Sequence, residues 1–266
     1  MATIQKPNPW EIQCTVLFAL FVRELWARFG RLRLGYLWAI LEPLALVAAF
    51  SGLKILIGSE PIGGVPYPLF FAAGILGYLL FQHISLLSLS AVEANLGLFN
   101  YRHIKPADTV LSRAMVEAGI FIGTSLAIYP MLVALGFHFV WNDTLLFLGA
   151  LSGLAVFSLG IGFLFCVLGP LWPESKKVVP ALIRPLFFIS GVFFSAASLP
   201  EGLKQWALYN PLLHALELMR RGMFKGYESQ EGSLLYLWMC ALVCLYLGLS
   251  VYRVFRIRIV TSGFVK

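Results

Sequence analysis

Residues 144–169 read TLLFLGALSGLAVFSLGIGFLFCVLG, without one charged side chain. A hydrocarbon core of about 30 Å takes about 20 residues of helix to cross. Within lipid the backbone must satisfy its own polar groups, which an uninterrupted apolar run does by forming a helix. Outer-membrane strands instead alternate in segments of about ten residues. Comparable runs occur at 36–57, 67–92, 110–136, 180–198 and 233–254. The chain therefore reads as an all-α integral membrane protein with six transmembrane helices. Its 266 residues are 59% hydrophobic and 12% charged, against about a quarter charged in an average soluble domain. Six spans fill nearly all of 1–266, which is expected to be a single membrane domain. The polar start MATIQKPNPW lacks a short apolar core with a small-residue cleavage site, so insertion is expected through the first span.

Charge sets the expected orientation. Fifteen of the 20 Lys and Arg fall in 1–35, 93–113, 170–184 and 253–266, zones separated by even numbers of spans. The loops 58–66 and 137–143 have none. The positive-inside rule places both termini and the loops near 93–113 and 170–180 in the cytoplasm. Segment 199–230 contains ALYNPLLHALELM, which is apolar but only 13 residues long and carries Asn210, Pro211, His214 and Glu217. Length and polarity predict a re-entrant or interfacial helix on the periplasmic side rather than a seventh span.

Residues 10–33 place Leu17, Phe18, Phe21, Leu25 and Phe29 at helical spacing, with Arg23, Glu24 and Arg28 between them. This predicts an amphipathic helix lying in the cytoplasmic interface, its arginines near lipid phosphates. Arg113 and Glu117, four apart on one helix, are expected to pair with each other. Gly119 with Gly123, and Gly149 with Gly153, have the spacing that lets helices approach closely. The 39 aromatic residues suit interface belts and packing, and equally the stacking faces of a glycan path.

The polar island NLGLFNYRHIKPADTVLSR at 95–113 stands between two apolar runs. An active site, a lipid-facing loop and a protein docking surface are the three readings of it. No GxxxxGK[ST] phosphate loop, HExxH, GxSxG elbow or clustered Cys/His site occurs anywhere. Catalysis by this chain, a metal site and a nucleotide cofactor are therefore not expected. The midplane is nearly free of carboxylates, unlike that of ion-coupled transporters. A channel or secondary transporter working alone, or a permease driven by a partner, remains.

RELWARFGRLRLGYLWAILEPL at 23–44 resembles the opening signature of type-2 ABC transporter permeases of polysaccharide export, with Arg23, Arg28, Leu34, Gly35, Tyr36, Leu37, Trp38, Pro43 and Leu44 matching. NLGLFNYRHIKPADTVLSRAMVE at 95–117 is similar to that family's cytoplasmic coupling segment. FFISGVFFSAASLP and YNPLLHALELMRRGMFKGY resemble its fifth span and re-entrant helices. Short length and LFNYRHIKPADT look most like the Gram-negative capsular polysaccharide export inner-membrane group, whose plan is shared by O-antigen and teichoic acid permeases.

The resemblance implies a homodimer in the cell inner membrane, each copy clamped to a cytoplasmic ABC ATPase subunit that binds ATP and Mg. It also implies a lipid-linked polysaccharide as cargo, a periplasmic adaptor and an outer-membrane channel as further partners, and no nucleic acid. Carried onto this sequence, the coupling segment is 93–109, with Phe99, Asn100, Tyr101, Arg102, Lys105 and Asp108 toward the ATPase. Arg23, Arg28 and Arg31 become candidates for meeting the anionic groups of the substrate. Tyr36, Trp38 and Phe81 are candidates for its path.

Overall fold

The computed structural model describes residues 8–29, 35–58, 60–101 and 103–264. Arg31, Arg102 and the side chain of Tyr36 lie outside the described residues. The described chain is helical: α1 Pro9–Phe29, α2 Gly35–Leu56, α3 Tyr67–Ser88, α4 Pro106–Ala134, α5 Thr144–Leu171, α6 Ser175–Ile189, α7 Glu201–Ala207, α8 Pro211–Met223 and α9 Leu234–Phe264. Short 3-10 helices cover Glu93–Asn100 and Ala196–Ser198. Among the described residues, α2, α3, α4, α5 and α9 are long and apolar enough to cross a membrane.

The difference from expectation lies at 180–198. There α6 starts earlier, at Ser175, and stops after 15 residues at Ile189. At 1.5 Å per residue this is about 22 Å of helix, short of a full crossing. Pro180 and Pro185 lie inside α6, each removing a backbone donor. Beyond it the chain reverses at Gly191, whose φ of 76° belongs to the left-handed region that glycine enters at little cost. The apolar residues after the turn fold back against protein: Val192 and Ala196 are fully buried.

Helix α3 is the axis of the bundle, with 78% of its apolar window buried, against 17% for α2 and for α9. Ala72, Ala73, Gly74 and Gly77 keep one stretch of α3 slim, and α8 and the 190–196 turn close onto it. In a membrane, where lipid competes equally for apolar surface, small residues at a crossing are what permit close packing. The most extensive contact joins α5 to α9. At its centre a Cβ on Gly160 would lie 2.5 Å from the Leu245 nitrogen, so the two backbones touch there.

Of the two glycine pairs singled out by spacing, Gly149 and Gly153 do face α9, at Leu234 and Leu237. Gly119 and Gly123 bring no helix close: nothing lies within 4 Å of an added Cβ at either. They border an apolar groove of about 320 Å³ between α1, α2 and α4. Two residues four apart on a helix make a groove, and whether a partner helix enters it depends on the rest of the bundle.

Candidate docking and access site

The polar segment after α3 is built by short-range bonding. Leu89 N donates to Leu86 O at 3.2 Å as α3 ends, and Asn95 N donates to Val92 O at 3.0 Å inside the first 3-10 helix. A turn closed by Ile104 N donating to Tyr101 O at 3.1 Å then leads into α4. Pro106 opens α4, where its missing N–H would have had no helical partner. Asp108 sits in the first turn, where a negative charge meets the positive end of the helix dipole. Its carboxylate accepts from Lys105 N at 2.8 Å and from Gln13 Nε2 of α1 at 2.7 Å, and it is buried.

The expected coupling residues thus divide. Asp108 faces inward as the cap of α4. Phe99 packs beside a buried cluster that contains Val92, Val110, Cys166, Val167 and Ile259. Asn100, Tyr101, His103 and Lys105 are exposed, Tyr101 by 66% of its surface. An inward aromatic, a buried cap and an outward polar edge make a ledge at the base of α3 and α4.

Helix α1 is clamped to this ledge by charge. Arg23 donates to Asn95 Oδ1 and to Ala94 O. Glu24 Oε1 lies 2.8 Å from Arg113 Nε. One turn on, Arg28 pairs with Glu117, whose other oxygen lies 3.1 Å from His83 Nδ1. The expected Arg113–Glu117 pair is corrected here, since each turns to an opposite charge on α1. Arg113 also donates to Leu87 O and to Ser90 Oγ at the end of α3. Lys176 of α6 pairs with Glu93.

Burial decides what this means. Arg113 and Glu117 are 6% and 2% exposed, and buried ions are tolerable only when paired and hydrogen-bonded. Burial pulls the Arg28 guanidinium below its usual value, while Glu42 and Glu24 push it back up. A cavity of about 30 Å³ lies where Arg28, Glu42, His83, Glu117 and Thr124 converge. Arg23 and Arg28, the described candidates for meeting anionic groups of a substrate, have protein acceptors here in Asn95, Ala94 and Glu117. Of the expected path residues, Trp38 stands 68% exposed on α2, and Phe81 is buried against Phe157, ring centroids 5.8 Å apart.

A second polar nucleus, missed from sequence, fastens α8 at the other end of the bundle. Arg220 is fully buried and donates to Phe70 O at 3.2 Å, Gly191 O at 2.7 Å and Val192 O at 3.0 Å. Its guanidinium lies 3.6 Å from the centre of the Phe70 ring. Glu217, one turn earlier, accepts from Ala196 N at 3.1 Å and lies 3.0 Å from the Tyr227 hydroxyl. His214 Nδ1 accepts from Ser233 N at 2.9 Å, so Nε2 carries the proton donated to Leu208 O at 2.7 Å. Lys204 of α7 reaches Glu231 at 2.6 Å, a bond that raises the lysine's pKa. The one signal available beforehand was the presence of His214, Glu217 and Arg220 at helical spacing within an apolar context.

Residues 15–224 match the family described as ABC-2 type transporter. The chain belongs to that family. ABC-2 permeases are the membrane-embedded, non-catalytic subunits of their transporters, with the ATPase separate, and this chain is one of them. It is 39% identical over 253 residues to the polysialic acid transport protein KpsM of Escherichia coli, covering 95% of this chain and 98% of the relative. It is 26% identical to the capsule polysaccharide export inner-membrane protein CtrC of Neisseria meningitidis serogroup B, over 96% of this chain and 97% of the relative. It is also 26% identical to the capsule polysaccharide export inner-membrane protein BexB of Haemophilus influenzae, over 92% of each. In this ABC-2 permease, a chain without an engine of its own carries an exposed ledge bolted to two membrane-crossing helices.

Proposed function

We propose that this chain is the transmembrane component of an ATP-driven exporter that moves lipid-linked capsular polysaccharide across the inner membrane to the periplasm. The observation that carries the reading is the end-to-end similarity to the polysialic acid transport protein. In this reading two copies form the passage, and each rests on one subunit of a cytoplasmic ATPase that binds ATP and Mg. Both termini and the 93–109 segment are cytoplasmic. The short helix α6 supplies the sixth crossing together with the turn at Gly191, and 199–230 forms the periplasmic re-entrant segment. A periplasmic adaptor and an outer-membrane channel receive the glycan.

The ledge offers the ATPase Asn100, Tyr101, His103 and Lys105, with Arg102 among them in the sequence. Aromatic and Arg side chains dominate interface energetics, which favours Tyr101 and Arg102 as anchors. ATP-driven closure of the ATPase pair pushes on this ledge. Because Asn95, Arg113 and Glu117 are tied to α1, the push reaches α1 and the base of α4 together. The interface helix and the groove beside it then form the place where an anionic, lipid-linked cargo is admitted. The test is a pull-down of the chain from its own membranes, with identification of bound protein and bound lipid-linked glycan. An ATPase subunit of the ABC class and a glycolipid are expected. Recovery of the chain intact with neither would contradict the reading.

A further inference from the structure

An apolar pocket of about 440 Å³ lies between α3, α4, α5 and α8, with Leu76 and Phe121 standing between it and the small cavity of the α1 clamp. Its walls include Phe121, Leu126, Tyr129, Phe147, Leu151 and Met223. Leu126 and Leu148, at its margin, are 70% and 52% exposed. The pocket therefore opens sideways, between two helices long and apolar enough to cross a membrane. Water has little reason to fill it: an ordered water needs two to four polar partners, and the Tyr129 hydroxyl is directed at the Met223 sulfur, 3.7 Å away.

The rim has the opposite character. Lys225 N donates to Val140 O at 2.9 Å, and Asn142 Nδ2 donates to Arg221 O at 2.9 Å. These bonds fix the backbone that carries Arg221 and Lys225 beside Trp141, itself part of the pocket wall. Lys225 is exposed. Of the carboxylates in this region, Asp143 caps α5 through Leu145 N at 2.9 Å and Leu146 N at 3.0 Å, and Glu228 is exposed three residues from Lys225. Indole rings at such a level sit at the boundary of headgroup and acyl chain. An apolar slot below, an aromatic at the boundary and two cations above match the order of groups in a phospholipid.

We propose that this pocket is a binding site for one anionic phospholipid, an acyl chain seated between α4 and α5 and the phosphate held by Arg221 and Lys225. In the proposed topology it belongs to the extracytoplasmic leaflet. The site depends on the chain lying in a membrane and is independent of the cargo. A lipid there braces α8 against α4 and α5 while the ledge at the far end moves.

The test is native mass spectrometry of the delipidated full-length protein titrated with phosphatidylglycerol or phosphatidylethanolamine. The wild type is expected to retain phosphatidylglycerol roughly tenfold more tightly. Arg221→Gln with Lys225→Gln, at the rim, abolishes that preference. Ser125→Phe, at a residue lining the pocket, lowers retention of both lipids, and the charge variant keeps the test decisive should this one fail to fold. Glycerophosphoglycerol, which lacks acyl chains, does not compete. Equal retention of the two lipids by the wild type, unchanged preference in the charge variant, or full competition by glycerophosphoglycerol would each overturn the proposal.

Discussion

Glu24 Oε1 of α1 lies 2.8 Å from Arg113 Nε of α4, and one turn along both helices the signs reverse, Arg28 meeting Glu117. A helix lying beside the bundle is in this way locked to a helix within it in a single register. Sliding α1 by one turn would set Arg28 against Arg113. Removing one partner of a buried pair costs about 3–5 kcal/mol, because the other charge is stranded. Glu117→Gln is therefore expected to lower thermal stability in detergent substantially. Glu24→Arg combined with Arg113→Glu should recover much of what either change alone loses, read by the same unfolding assay.

The cap of α4 makes a smaller, local contribution. Asp108→Ala removes two acceptors, one for Lys105 N and one for Gln13. Hydrogen bonds to a charged group contribute about 1.5–3 kcal/mol. A loss of about 2 kcal/mol is expected, with faster amide exchange confined to the start of α4 and to α1 near Gln13.

At the ledge the expectation is the reverse, function lost with the fold intact. Tyr101→Ala with Lys105→Ala changes exposed side chains and should leave the unfolding temperature alone. Loss of about 2 kcal/mol at an interface anchor weakens ATPase binding roughly 30-fold. Co-purification of the ATPase and export should fall together, while membrane insertion is unchanged.

Arg220 is the pin of α8, its guanidinium satisfied by three backbone carbonyls and a ring face. Arg220→Met leaves those carbonyls without their donor, each worth about 1–3 kcal/mol when buried and unsatisfied. Protease sensitivity should rise at the 190–196 turn. Gly74→Ala should have a related effect, since its methyl group would stand 3.1 Å from Val192 O and displace the guanidinium.

The long spans were legible in the sequence because hydropathy and length are properties of a local window. The end of α6 was not, because an apolar segment buried by protein and one bathed in lipid have the same composition. Val192 and Ala196 belong to the first kind. Periodicity marked α1 as a distinct helix but left its partners open. Arg23 finds Asn95 across 72 residues and Gln13 finds Asp108 across 95, and no local pattern encodes such a pairing. Arg113 and Glu117 show the same limit from the other side, since their spacing permits a bond that the opposite charges on α1 displace. In the 93–109 segment the polar character was readable. Which side chains turn outward, Tyr101 and Lys105, and which turn in depends on long-range packing, of Phe99 against α5 and α9 and of Asp108 against Gln13 of α1.

Export of capsular polysaccharide driven through the ledge can be measured in cells lacking their own capsule export permease. The wild-type chain is supplied with its ATPase, and polysaccharide at the cell surface is measured by antibody binding. The wild type is expected to restore surface capsule, and Tyr101→Ala with Lys105→Ala to leave the glycan inside the cell despite normal insertion. Surface capsule restored equally by both chains, or by neither while the wild type sits in the membrane with its ATPase bound, would contradict export driven through the ledge.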